Sequence, residues 1–226
     1  MRALRHNDGL DPAKIAAALL MVIDHILIAL PQPWSYWGHL AGRPCIPIFC
    51  YIIVMRVADS TPDRAVRMLS WLVPWAFASQ PIYQLLVIHF VIRANILVTL
   101  AVGVGLIYLL SRRFYFPLAM ALLVLPFANN YLDGGALTAA GLVAAYALSQ
   151  FDRNAALTTV TLAAMVSNLL LTPQTPEASL SVLAAPLIIL VSPVFSTLCP
   201  RVPRAAFYAF YPAQLLVILL VFGPYS

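Results

Sequence analysis

Along the chain, apolar runs of about 15 to 20 residues follow one another, separated by short breaks that hold most of the charges. Runs of that length suit helices crossing a bilayer, and they are too long and unbroken for the alternating signal of barrel strands. The pattern predicts nine spans, near residues 12–30, 40–57, 67–90, 94–110, 114–128, 134–150, 155–171, 180–198 and 205–222. The third contains Pro74 and Pro81, which remove backbone donors and predict a broken helix. The fifth is near the lower length limit, so eight and ten spans are the neighbouring counts. Polar flanks and the lack of a small-residue cleavage pattern predict that the first run is a retained span and not a removable signal.

Composition agrees with the pattern. Hydrophobic residues make up 62% of the 226 and charged residues 9%, against roughly a quarter charged in a soluble domain. Mean hydropathy is +0.90. The expected fold is therefore an all-α, polytopic transmembrane bundle, a single domain over residues 1–226 with no separate soluble part.

Charge placement orients it. With the N-terminus cytoplasmic, the cytoplasmic ends collect Arg2, Arg5, Lys14, Arg56, Arg64, Arg67, Arg112, Arg113, Arg153, Arg201 and Arg204, eleven of the thirteen basic residues. Arg43 and Arg93 alone fall outside, and the C-terminus is expected to be external. This bias accounts for most of the +5 net charge. Without a soluble basic face or an aromatic stacking module, nucleic acid is not expected as a partner.

Several polar features have simple explanations. Cys45, Cys50 and Cys199 lack zinc-ligand spacing and are expected to pack, and no metal is predicted. The GVG at 103–105 fits close helix approach and lacks the full nucleotide-binding pattern. TPQTPEA at 172–178 reads as a loop, and Asp133 in NNYLDGG as an outer turn residue. His39 and His89 are expected at the interface, near the aromatic belt of Trp34, Tyr36 and Trp37.

The first span, KIAAALLMVIDHILIAL from Lys14 to Leu30, is different because it carries Asp24 and His25 side by side. An ionisable residue this deep is costly and normally faces a bundle interior or a wet cavity. Residues eleven apart on a helix differ by ~20° after three turns, so Lys14 and His25 share a face about 16 Å apart. Asp24 lies on a neighbouring face. A structural pair is the competing explanation, with Asp24 bound to Arg43 at the outer mouth of the next span and His25 bonded to another helix.

A basic residue, ten intervening residues and His in a first spanning helix resembles the motif of membrane-embedded acyltransferases that use acyl-CoA. More closely, the chain resembles the TraX family, whose namesake N-acetylates conjugative F-type pilin. The matching stretches are Lys14 through Asp24 and His25, LAGRPCIPIF at 40–49, SQPIY at 79–83, NILVTL at 95–100, DGGALTAAGL at 133–142 and RAAFYAFYPAQL at 204–215. The most specific are the AGR-x-x-x-P-x-F element and the terminal FYxFYP element. One departure is chemical. The family usually has His where this chain has Gln214, and Gln hydrogen-bonds but cannot exchange a proton near neutral pH.

The resemblance implies an acetyltransferase of the bacterial inner membrane, with acetyl-CoA as acyl donor and the N-terminal amine of a pilin subunit, held in the same lipid bilayer, as acceptor. His25 would accept the amine proton, or take the acetyl group itself before passing it on. Lys14 and then Arg204 are the first candidates for the CoA phosphates, although orientation alone also explains basic residues there. Arg43, which orientation does not explain, is expected to pair with Asp24; stabilising the oxyanion and binding an acidic acceptor group are its other roles. Gln80, Asn95, Tyr208 and Gln214 are candidates for lining the substrate cavity, with polar helix contacts or aromatic packing as the alternatives. Two other function classes fit the composition. A transporter or flippase would also want deep charges, but it would more often show two related halves. A noncatalytic pilus-assembly protein would keep the fold and lose the chemistry.

Overall fold

A computed structural model describes residues 10–31, 33–58, 63–86, 93–171, 176–199 and 202–224, with the backbone alone for Pro176 and Arg204. Among the described residues the chain is helical and forms no strand; a single isolated bridge joins Ala94 to Leu132. In chain order the helices are α1 (Asp11–Ile28), α2 (Trp34–Gly42), α3 (Cys45–Ala58), α4 (Asp63–Leu86), α5 (Ile96–Ser111), α6 (Tyr115–Val124), α7 (Gly135–Ser149), α8 (Arg153–Leu171), α9 (Pro176–Ser181), α10 (Ala184–Val191) and α11 (Arg204–Phe222). Short 3-10 turns follow α6 and α10. Each of the nine predicted segments holds helix, but the regularity of the second and third differs from the expectation.

The second segment is longer than predicted and interrupted. Trp34–Ala58 is one apolar stretch long enough to cross a membrane, yet it is two helices meeting at Arg43 and Pro44. Pro44 has no N–H to continue the ladder, so the helix restarts after it. The third segment, expected to be broken at Pro74 or Pro81, is instead continuous as α4. Side chains supply donors ahead of Pro81. Ser79 Oγ donates to the Trp75 carbonyl at 2.7 Å, and Asn95 Nδ2 donates to the Ala76 carbonyl at 3.0 Å. The fifth segment is short, as its length foretold, with α6 giving way to 3-10 turns over Leu125–Tyr131.

At the centre lies α3, buried at every position from Cys45 to Met55. Around it stand α1, α7 and α8, and α4 makes a smaller contact. The outside of the bundle is apolar. Phe116 is 78% exposed, Leu187 65% and Leu220 75%, which water would penalise and lipid would not. Besides Trp34–Ala58, the stretches Arg153–Leu171, Glu177–Phe195 and Ala205–Phe222 are long and apolar enough to cross a membrane. The chain is built as a membrane protein.

Small residues set the closest approaches. Gly38 and Gly42, four apart on one face of α2, let it lie against α1. A Cβ on Gly42 would stand 2.2 Å from Asp24 Cβ and 2.4 Å from Asp24 Oδ1, and one on Gly38 would stand 2.8 Å from Leu27 Cβ. Similarly, α7 packs along α8 with Gly141 against Ala163.

Gly42→Ala is therefore expected to lose about 1–3 kcal/mol of unfolding free energy by forcing α1 and α2 apart. At Gly105 nothing lies within 4 Å, so Gly105→Ala is expected to be neutral or to gain up to about 1 kcal/mol of helix stability. Unfolding of both variants in detergent, followed by circular dichroism, measures the contrast.

Candidate functional site

Helix α1 presents one buried stripe, spaced three or four residues apart, through Asp11, Lys14, Ala17, Met21 and His25. Beside it runs a narrow, mainly apolar cleft of about 80 Å³, with walls from α1, α3, α4, α5 and α11. Lys14 and Arg56 line it among such neighbours as Met21, Phe49 and Tyr211. Since α3 lies against α1 with its Arg56 end beside Asp11, the two cations share the same end of the cleft.

That end is charged. Lys14 Nζ is ion-paired with Asp11 one turn earlier, and Arg56 Nη2 lies 4.0 Å from the same carboxylate oxygen. Arg64 Nη1 donates to the Arg56 carbonyl at 2.9 Å, so a third cation stands over the end of α3. In the sequence, orientation alone accounts for Arg56; the structure puts it beside Asp11. The sequence hint to its role was the carboxylate of Asp11, three residues before Lys14, which calls for cations around it.

Beyond Met21 the stripe on α1 reaches His25, which is 9% exposed. Its ring donates to the Met21 carbonyl, and Nδ1 stands 3.5 Å from Gln214 Nε2 of α11. Tyr211, one turn before Gln214, has its ring centroid 6.3 Å from that of His25. These contacts join positions almost two hundred apart in the chain. Gln214 Oε1 is buried and finds no hydrogen-bond partner among the described residues, a state that costs about 1–3 kcal/mol unless a ligand or water meets it. The terminal FYxFYP element thus brings Tyr211 and Gln214 to His25, while Tyr208 lines the cleft and stacks on Trp71 with centroids 6.2 Å apart.

A second polar group gathers around Asp24, next to His25 in the chain. Gly42 seats the Asp24 side chain against α2, and the half-buried Arg43 follows immediately at the helix break. The Arg43 guanidinium acts electrostatically on Asp24, His25, His39 and Asp133. The expected Asp24–Arg43 pair is corrected in its geometry: the ion pairs within 4.0 Å among the described residues do not include it. Arg43 Nη2 meets His39 Nδ1 instead, at 3.2 Å, because the two are one helical turn apart. Asp24 Oδ1 and Arg43 Nε are buried with no hydrogen-bond partner among the described residues. His39, expected to be an interfacial residue, therefore belongs to this group.

Asp133 also does more than complete a turn. Tyr83 donates to its carboxylate, and Thr99 Oγ1 donates to its backbone carbonyl at 2.6 Å. The next two residues, Gly134 at φ 81° and Gly135 at φ 75°, take the left-handed backbone that glycine tolerates. Burial pushes the Asp133 carboxyl above its ordinary value of 3.8, against the opposing pull of Arg43 and Arg93.

Gln80 and Asn95 are placed elsewhere. Asn95 Nδ2 donates to Gln80 Oε1 at 2.9 Å, Asn95 Oδ1 caps α5 by accepting from Leu97 and Val98, and Gln80 Nε2 donates to the Arg93 carbonyl at 2.9 Å. They join the end of α4 to the start of α5, behind the cleft wall formed by Ile96 and Leu97. For Arg204, only its place at the start of α11 is described; Arg2, Arg5, Arg201 and His89 lie outside the described residues.

The stretches that converge on His25 come from four distant parts of the sequence, and a comparison with known families covers all of them. A family model described as TraX protein matches residues 9–222. The chain belongs to the TraX family. This is a family of conjugation-related and pilus-related proteins. No curated protein and no solved structure matched the chain. Within this TraX-family chain, AGR-x-x-x-P-x-F supplies Gly42, Arg43 and the cleft residue Phe49, whose ring meets Phe207 of α11 at 5.8 Å.

The raised Asp133 carboxyl has a definite sign. Its proton is held more tightly in the folded protein, so its contribution to stability is complete below pH 3.8 and declines as pH rises from there through the raised value. Asp133→Asn, which does not titrate, is expected to flatten that part of the decline. Thermal unfolding in detergent across the acid range, comparing the two proteins, checks this.

Proposed function

We propose that this chain is a multi-pass protein of the bacterial inner membrane, with nine spans and a cytoplasmic N-terminus, that transfers acetyl from acetyl-CoA to the N-terminal amine of a pilin subunit. The observation that carries this reading is the cleft running from the cations Lys14 and Arg56 toward His25, with a second buried polar group beyond it. Phosphates need cations, an extended pantetheine arm needs a narrow apolar slot, and an amine nucleophile needs a base. Along α1 these come in that order over about 16 Å.

In the proposed reaction the donor lies with its phosphates at Lys14 and Arg56 and its thioester near His25. The acceptor approaches from the side of Asp24, Arg43 and Asp133, where carboxylates favour an ammonium group. His25 takes a proton from that group, freeing the lone pair. The amine nitrogen then attacks the thioester carbonyl, the C–N bond forms, the C–S bond breaks, the departing thiolate of CoA takes the second proton that the nitrogen loses on becoming an amide, and His25 releases the first to water. Arg43 supplies positive charge for the oxyanion in between. Gln214 holds the imidazole and takes no proton. An acetyl-His25 intermediate fits the same positions.

A noncatalytic role in pilus assembly is the second reading. It draws on one observation, that Gln214 occupies the buried place against His25 with a side chain that cannot exchange a proton near neutrality.

The deciding experiment is the intact mass of pilin from matched cells carrying the gene intact, deleted, or as His25→Ala. Loss of acetylation is expected in both altered strains, with the variant still present in the membrane; a pilin of the same mass in all three would leave no acetyl transfer to pilin here. In vitro, His25→Ala is expected to lose about 10²–10⁴-fold in rate. Gln214→Leu should cost about tenfold through loss of orientation. Lys14→Ala is expected to raise the acetyl-CoA concentration needed for half-maximal rate with little change in the maximal rate, as measured by CoA release.

A further inference from the structure

The charged end of the cleft contains a carboxylate that a phosphate site would exclude. Asp11 pairs with Lys14 and stands 4.0 Å from Arg56 Nη2, and the side chains of Lys14, Asp11 and Arg56 are only 6%, 12% and 24% exposed. Burying a carboxylate costs several kcal/mol before pairing, so Asp11 is there because two cations hold it. Those cations also line the cleft, whose remaining walls are largely apolar. Arg64, bonded to the Arg56 carbonyl, adds a third cation at this end. The 4.0 Å separation between Asp11 and Arg56 exceeds hydrogen-bond distance, and a phosphate group offers more acceptor oxygens, in a geometry that the guanidinium fork matches.

We propose that Asp11 is an internal stand-in for a ligand phosphate: Lys14 and Arg56 form an anion site that Asp11 fills when no ligand is bound and leaves when a phosphate enters. Asp11 is suited to leave because it lies in the first turn of α1, where the helix ladder does not yet bind the backbone N–H. The carboxylate offsets part of the charge of the two cations between turnovers and competes with the ligand, which limits affinity and speeds release. That the phosphate is carried by CoA rests on the acetyl-transfer reading; the anion site itself does not.

The test is calorimetric titration of inorganic pyrophosphate, and separately of CoA, into the full chain in zwitterionic lipid nanodiscs. Asp11→Asn removes the competitor and is expected to bind pyrophosphate about tenfold more tightly. Arg56→Gln is expected to bind it about tenfold more weakly, with Arg56→Lys between that variant and the wild type as the charge-keeping control. Equal affinities in all four proteins, or weaker binding in a helical, monodisperse Asp11→Asn, would overturn the proposal. Repeating the titration with phosphatidylglycerol in the discs separates the sources. Loss of pyrophosphate binding that depends on Asp11 assigns the phosphate to a lipid headgroup, whereas unchanged binding assigns it to a soluble ligand. If CoA follows pyrophosphate through the series while pilin stays unacetylated, the anion site stands and the transfer reading falls.

Discussion

Everything in this bundle is arranged around the cost of keeping ionisable side chains on a helix surrounded by lipid. Placing an aspartate or arginine at the centre of a spanning helix costs about 2.5–3.5 kcal/mol on insertion scales. Helix α1 carries Asp11, Lys14 and Asp24 as well as His25, and it turns most of them inward. The rest of the fold supplies what they need. Gly38 and Gly42 bring α2 close enough to seat Asp24, the interruption at Pro44 delivers Arg43 beside it, and α3 ends with Arg56 against Asp11. An interrupted helix is tolerated at that depth because its freed backbone faces protein.

The polar residues separate into groups with different tasks. Gln80, Asn95 and Ser79 bond to one another and to backbone, closing the junction of α4 and α5. Tyr83, Thr99 and Asp133 tie that junction to the turn before α7, where Ser167 Oγ donates to the Gly134 carbonyl at 2.6 Å. By contrast, Asp24, Arg43 and Gln214 keep buried polar atoms without partners among the described residues. A satisfied network stiffens a scaffold, and unsatisfied buried atoms mark where a ligand has bonds to gain. Gln84 of α4 and Ser179 of α9 also keep a buried oxygen without such a partner, so the candidate chemistry is singled out by the gathering of Asp24, Arg43 and Gln214 around His25.

His25 stands between two environments of opposite character. On one side, past the lining residues Met21 and Tyr211, is an apolar slot with cations at one end, suited to a long ligand with a charged head. The other holds two carboxylates with Arg43 among them. For the proposed transfer, this geometry lets donor and acceptor reach one imidazole from different directions. The contact of Gln214 with His25 then reads as orientation, because an amide can fix a ring without exchanging a proton.

Period and composition by themselves determined the helical class, the membrane setting, the position of nearly every helix and the singularity of Asp24 and His25. Those follow from local physics: the length of apolar runs, the cost of charge in lipid, and the 3.6-residue turn that aligns Lys14 with His25. Tertiary structure alone decided which distant residues meet them. Nothing local to Arg43 reveals that its guanidinium stays outside ion-pair distance of Asp24, or that α3 carries Arg56 back to Asp11. The continuity of α4 at Pro81 is supported by donors from Ser79 and from Asn95, the cap of α5. Pairings of this kind are set by the packing angle and depth of whole helices, which a one-dimensional pattern of apolar and polar positions does not encode.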